Sequence, residues 1–149
     1  MTEYTWSLLK PVATCDEARR TARAGVIVPG WLALTYALAV MLIITTGSDT
    51  YGAAGATALV ADLVALVLAL ALVRQVWVRQ GLWSAVLAMA WFLLELAYKA
   101  RDIAAGAPPV SGGFALIFLA IFAVGVLGLT ATWRLRRLRR LSPDARVFD

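Results

Sequence analysis

Long apolar runs broken by short polar stretches dominate the pattern of this chain. Four such runs, at about residues 24–46, 56–73, 82–100 and 114–133, carry almost no charge. A helix rises about 1.5 Å per residue, so about 20 apolar residues cross a hydrocarbon layer of about 30 Å. Each run is close to that length or exceeds it. The pattern predicts an all-α integral membrane protein, with residues 1–149 forming one four-span membrane domain arranged as an up-down bundle.

The polar breaks add detail. Residues 1–14 read as a short amphipathic segment with Trp6, Leu8 and Leu9, closed by Pro11. Thr14 and Glu17 have the spacing of a capping box, in which hydroxyl and carboxylate satisfy the first free amides of a helix. Pro29 removes a backbone donor and is expected to bend the first span. Residues 47–55 and 104–113 read as loops, and 74–81 as a short basic turn. The last span runs into a basic tail expected to stay helical until Ser142-Pro143.

Composition agrees with the pattern. Hydrophobic residues make up 62% of the chain and charged residues 15%, against about 45–50% and about 25% in soluble domains. The mean hydropathy is +0.80. The net charge of +5 would suggest nucleic acid in a soluble protein. Here the basic residues sit outside the apolar runs without interleaved stacking aromatics, so the lipid bilayer, not nucleic acid, is the expected partner. The charged positions 16–23 and the Pro29-Gly30 pair speak against a cleavable signal peptide, so the first span is expected to remain in the mature protein.

Orientation follows from where the basic residues fall. Lys10, Arg19, Arg20, Arg23, Arg74 and Arg79 occupy the N-terminal flank and the 74–81 turn, and Arg134, Arg136, Arg137, Arg139 and Arg140 crowd the tail. The alternate loops hold only Lys99 and Arg101. The positive-inside rule then predicts a bacterial-type cytoplasmic (inner) membrane with both termini in the cytoplasm. Arg19, Arg20 and Arg23 and the tail arginines Arg134, Arg136, Arg137, Arg139 and Arg140 are expected to serve as topology anchors and lipid-surface contacts.

Candidate chemistry is sparse. The chain has no histidine and one cysteine, Cys15. An intrachain disulfide is excluded, imidazole-ligated metals and haem are not expected, and no cofactor or metal site is indicated. Only Asp62 and Glu95 are acids well inside an apolar run. On the third span Ser84, Ala88, Trp91, Glu95, Lys99 and Asp102 step by three or four residues and share one helical face. Lipid does not solvate a carboxylate, so this face is expected to turn into the bundle or towards a neighbouring protein. Lys99 stands one turn after Glu95 and is expected to neutralise it.

Asp62 has no such partner on its own helix, and a lone carboxylate near mid-membrane costs about 2.5–3.5 kcal/mol on insertion scales. Ala58, Ala61, Ala65 and Ala69 flank it as a small-residue stripe on which the third helix could dock, bringing Glu95 or Lys99 towards Asp62. Trp91, Tyr98 and Tyr36 are candidate pocket walls, and Gly125 and Gly128, with Thr132, form a candidate helix contact on the fourth span. The acids either bind a proton, a cation or an amine, or form a satisfied network that fixes helix register.

Three functions fit these residues. The first is a subunit or accessory component of a membrane complex, or a homo-oligomer, working through helix contacts. The second is an oligomeric transporter or channel for protons, small cations or cationic amines that uses Asp62 and Glu95. The third is a membrane enzyme acting on a lipid or isoprenoid, with the carboxylates as acid and base. No motif places the chain in a family, and an enzyme is the least supported of the three.

Overall fold

The computed structural model describes residues 15–46, 52–109 and 111–141, and every described element is helical. The elements are α1 (Cys15–Ala24), α2 (Ile27–Thr46), α3 (Gly52–Arg74), a π-helical turn (Gln75–Arg79), α4 (Leu82–Ala104) and α5 (Gly112–Leu141). The amphipathic segment 1–14 with its Thr14 cap, the centre of the 47–55 linker and the Ser142-Pro143 stop lie outside the described residues. Four helical stretches are long and apolar enough to cross a membrane: Asp16–Thr46, Gly55–Arg79, Leu82–Ala104 and Gly112–Arg137.

Two boundaries differ from the sequence expectation. The first long helix breaks at Gly25-Val26, ahead of Pro29. Proline has no N–H for the carbonyl four residues earlier, and its ring crowds that carbonyl. That carbonyl belongs to Gly25, which instead accepts from Val28 N at 3.3 Å, while Val26 N reaches back to Arg23 O at 3.0 Å. The strain is therefore relieved one turn before the proline, and Pro29 sits fully buried in the first turn of α2. The second difference is the basic 74–81 stretch, which is not an open turn. The helix continues through Arg79 as a π-turn and stops at Gln80, which adopts the left-handed region at φ 48°. For a residue with a side chain that conformation costs about 1–2 kcal/mol.

α2 lies at the centre of the packing. It runs along α3 most extensively and also touches α4 and α5, whereas α3 and α4 meet only slightly. One core cluster joins Val28, Ala88, Met89, Phe92 and Ile121 from α2, α4 and α5. A second joins Leu32 and Ala33 of α2 to Ala69 of α3. Outside these clusters the surface is strongly apolar, with Val60, Val64, Val67, Leu87, Leu116 and Leu119 all more than half exposed.

α1 packs against α5, where Ala18, Ala22, Ala131 and Leu135 are all buried. The approach is closest at a glycine pair. A Cβ built on Gly128 would meet the Gly25 Cα at 2.5 Å, and one on Gly125 would meet Val28 Cγ2 at 2.7 Å. The expected contact patch on the last span is thus an intrachain one, and its partner Gly25 is also the residue that lets α1 turn into α2. Thr132 beside it returns its hydroxyl to Gly128 O at 2.7 Å, so no polar group is left open at the crossing.

Gly128→Ala should force backbone against backbone and lower stability by about 1–3 kcal/mol. Gly30→Ala, with nothing within 4 Å of the added carbon, should cost nothing. Unfolding midpoints of the two variants in denaturant-titrated micelles check the contrast, and equal midpoints would remove the glycine crossing as a determinant of the fold.

Candidate functional site

The third span presents its polar stripe as the spacing implied, but only in part. Along α4, Ala88 is buried and Ser84, Trp91 and Glu95 are half-buried, whereas Lys99 and Asp102 are exposed. The stripe therefore enters the packing at its first four members and leaves it at the last two.

Glu95 finds one partner on α2 and one on its own helix. The Tyr36 hydroxyl donates to Glu95 Oε1. Trp91 Nε1, one turn earlier on α4, donates to the same oxygen at 3.3 Å and to Tyr36 Oη at 3.2 Å. The Tyr36 and Trp91 rings also pack with centroids 5.6 Å apart and planes tilted by 47°. Three side chains thus close a triangle between α2 and α4, with both donors converging on one carboxyl oxygen.

Lys99 is not the partner that its i, i+4 spacing suggested. Among the described residues no ion pair joins it to Glu95, and its side chain is exposed. The reason is competition for geometry. The tyrosine and indole donors are held by ring packing at the helix crossing, while the lysine is a long flexible chain that gains solvation by pointing outwards. Lys99 still borders, with Glu95 and Thr35, a hollow of about 100 Å³ walled by Trp31, Phe92 and Phe118. That is room for a few waters or a small ion beside the carboxyl group.

Asp62 is half-buried on α3. α3 packs most extensively on α2, the helix that supplies Tyr36 to Glu95. The direct α3–α4 docking that the alanine stripe suggested is slight. The inward face of α3 is Leu59, Asp62, Leu66 and Ala69, and it meets α2. Of the stripe, Ala69 is fully buried and Ala65 half-buried, while Ala58 and Ala61 are exposed. The inward-facing set steps 3, 4, 3 through the acid itself and coincides with the all-alanine series only at Ala69.

The remaining candidates separate from this cluster. Tyr98 is 52% exposed, with the Arg101 guanidinium 5.9 Å from its ring centroid. Arg20, Arg23, Arg134, Arg136 and Arg137 are exposed and Arg19 is half-buried. Arg23 lies over the Trp77 ring at 5.5 Å, tying α1 to the π-turn. α5 also carries Arg139 and Arg140. Sequence reasoning missed Trp31, Thr35, Phe92 and Phe118 around the small hollow. Trp31 and Thr35 are spaced i, i+4 and share one helical face of α2, a signal that was available.

No family model matches this chain, and neither a curated protein nor a solved structure matches it.

Tyr36→Phe removes one of the two donors to a half-buried carboxyl group and should destabilise the fold by about 1–3 kcal/mol. Lys99→Gln should change stability little. A chemical-denaturation series of both variants in micelles checks this, and a Lys99→Gln loss as large as that of Tyr36→Phe would restore the lysine as the neutralising group.

Proposed function

We propose that this chain is a four-span protein of a bacterial-type cytoplasmic membrane, an up-down bundle with both termini in the cytoplasm. In this reading it acts as a subunit or accessory component of a membrane assembly, the simplest being a homo-oligomer. The observation that carries the reading is the bareness of α3. Its most apolar window is 6% buried, against 28%, 17% and 22% for the other three stretches.

α3 is held from one side by α2 and leaves an apolar hollow of about 680 Å³ on its α4 side. Leu68, Ala71, Leu72, Leu87, Ala90 and Leu94 line it, with Gln75 and Trp91. Lipid chains also solvate leucine, so apolarity alone does not favour a protein partner. Small residues do, because helices associate in membranes where backbones can approach closely. Ala71 and Ala90 supply such a place, and a second copy of the chain would set its own exposed α3 against it.

The Glu95–Tyr36–Trp91 triangle is compatible with this role as an internal brace. It also supports a second reading, favoured by Asp62. A half-buried Asp62 on one neighbour of α2 and a half-buried Glu95 on the other, the latter beside a hollow with a lysine at its border, support a stopping place for a proton or a small cation. Four helices enclose little space, so a transporter or channel built this way also needs an oligomer. A membrane enzyme on a lipid or isoprenoid substrate gains nothing further from the geometry.

In mild detergent the protein should run as a multiple of its 16.0 kDa chain, and Ala71→Leu with Ala90→Leu should shift it towards the monomer. Native mass spectrometry reads both, and a monomer at every protein concentration counts against the assembly role. In proteoliposomes, Asp62→Asn or Glu95→Gln should abolish any proton or cation flux of the wild type. Unchanged flux in both variants eliminates the second reading and leaves the first standing.

A further inference from the structure

We propose that the hollow where the first turn of α4 meets the basic end of α5 binds the phosphate of an anionic phospholipid. This rests on the membrane reading above, and it concerns a place well apart in sequence from Asp62, Tyr36 and Glu95. The hollow measures about 340 Å³ and is lined by Leu82, Trp133, Arg136 and Arg137. That size falls in the range of clefts that hold small molecules, about 300–1,000 Å³.

The lining has the chemistry of a lipid headgroup at its own depth. Two guanidinium groups border it, and among its described lining residues there is no carboxylate. A guanidinium is a planar fork of N–H donors that matches phosphate oxygens in pairs. Arg137 is held with its guanidinium carbon 5.8 Å from the Trp133 ring centroid. This contact restricts the side chain before any ligand arrives and lowers the entropy lost on binding.

Trp133 ends the apolar stretch of α5, and Arg134 begins its basic stretch. Indole rings favour the boundary between hydrocarbon and headgroups. Trp133 is 52% exposed there, and Trp83, beside Leu82 on α4, is 71% exposed. Leu82 and the Trp133 ring give the site an apolar wall. Inorganic phosphate gains nothing from such a wall, whereas the glycerol and upper acyl carbons of a phospholipid do. The lipid is therefore the source the surface favours over free phosphate.

The test uses the full chain in detergent micelles, read by native mass spectrometry with added phosphatidylglycerol, phosphatidylcholine or inorganic phosphate. Phosphatidylglycerol should be retained over phosphatidylcholine. Arg136→Gln with Arg137→Gln should cut that retention by about tenfold or more, because both guanidinium forks that hold the phosphate oxygens are lost. Arg136→Lys with Arg137→Lys keeps the charge, loses the fork and should fall between. Arg74→Gln with Arg79→Gln makes the same charge change outside the hollow and should stay within about twofold of wild type. Equal retention of the two lipids, or equal losses in the two glutamine pairs, overturns the proposal. So does millimolar phosphate binding alone and displacing the lipid, which would make this a free-phosphate site. Alkaline extraction of the same membranes tests the membrane reading separately: a chain that resists extraction yet retains no phosphatidylglycerol sinks the lipid site alone.

Discussion

This chain carries more apolar surface than its own packing can cover, and that excess governs the rest of the structure. α3 alone leaves Val60, Val64, Val67, Leu68 and Leu70 more than half exposed. Water is a poor medium for such a face, and a hydrocarbon layer or another apolar helix is a good one. Once the outside is apolar, the usual drive to bury leucine between helices weakens, and close fit and polar satisfaction decide the packing. Both are visible. Glycine meets glycine where α1 and α2 join against α5. Thr35, Thr45, Thr46 and Thr132 return their hydroxyls to carbonyls of their own helices, which spares each a search for a partner elsewhere.

The same constraint gives the Glu95–Tyr36–Trp91 triangle its weight. A carboxyl group inside an apolar span must be neutralised, paired or hydrogen-bonded. Here two ring donors do the last of these, and in doing so they fix how α4 crosses α2. The brace and the proposed proton site would use the same atoms. Asp62 sets the two apart. It is half-buried, yet the described side chains offer it no hydrogen-bond donor comparable to those of Glu95. An assembly that places a cation or a partner helix beside α3 would supply what α3 lacks at both its acid and its bare face.

Much of the fold was legible because hydropathy is a local property. The four runs, the 104–113 loop, which the structure shortens by starting α5 at Gly112, and the two acids inside apolar runs can be read without knowing how any helix packs. What escaped reading depends on pairs far apart in sequence. Tyr36 and Glu95 are separated by 59 residues, and nothing in either span announces that they meet. The nearer candidate, Lys99, has better charge and better spacing, and it loses because outward solvation suits a flexible ammonium. The alanine stripe on α3 misdirected for a related reason: small residues mark where close approach is permitted, not where it occurs. The shift of the α1–α2 break to Gly25 was partly legible, since proline acts on the carbonyl four residues before it and that residue is a glycine. The π-turn at 75–79 has no such sign, as Gln-Val-Trp-Val-Arg contains neither glycine nor proline.

The central claim is that the exposed apolar faces lie in lipid while the Tyr36–Glu95 side of the helices turns inward. Spin labels placed one at a time on α3 in bilayers, with Cys15 replaced, measure it directly through collisions with oxygen and with a water-soluble nickel chelate. In protein reconstituted dilute enough to be monomeric, labels at Val60, Val64 and Val67 should show high oxygen and low nickel accessibility, and labels at Leu66 and Ala69 should show low accessibility to both, repeating with the helical period; in the assembly, oxygen accessibility at the first three should fall while nickel accessibility stays low. High nickel accessibility at Val64 and Val67 would place that face in water and contradict the account.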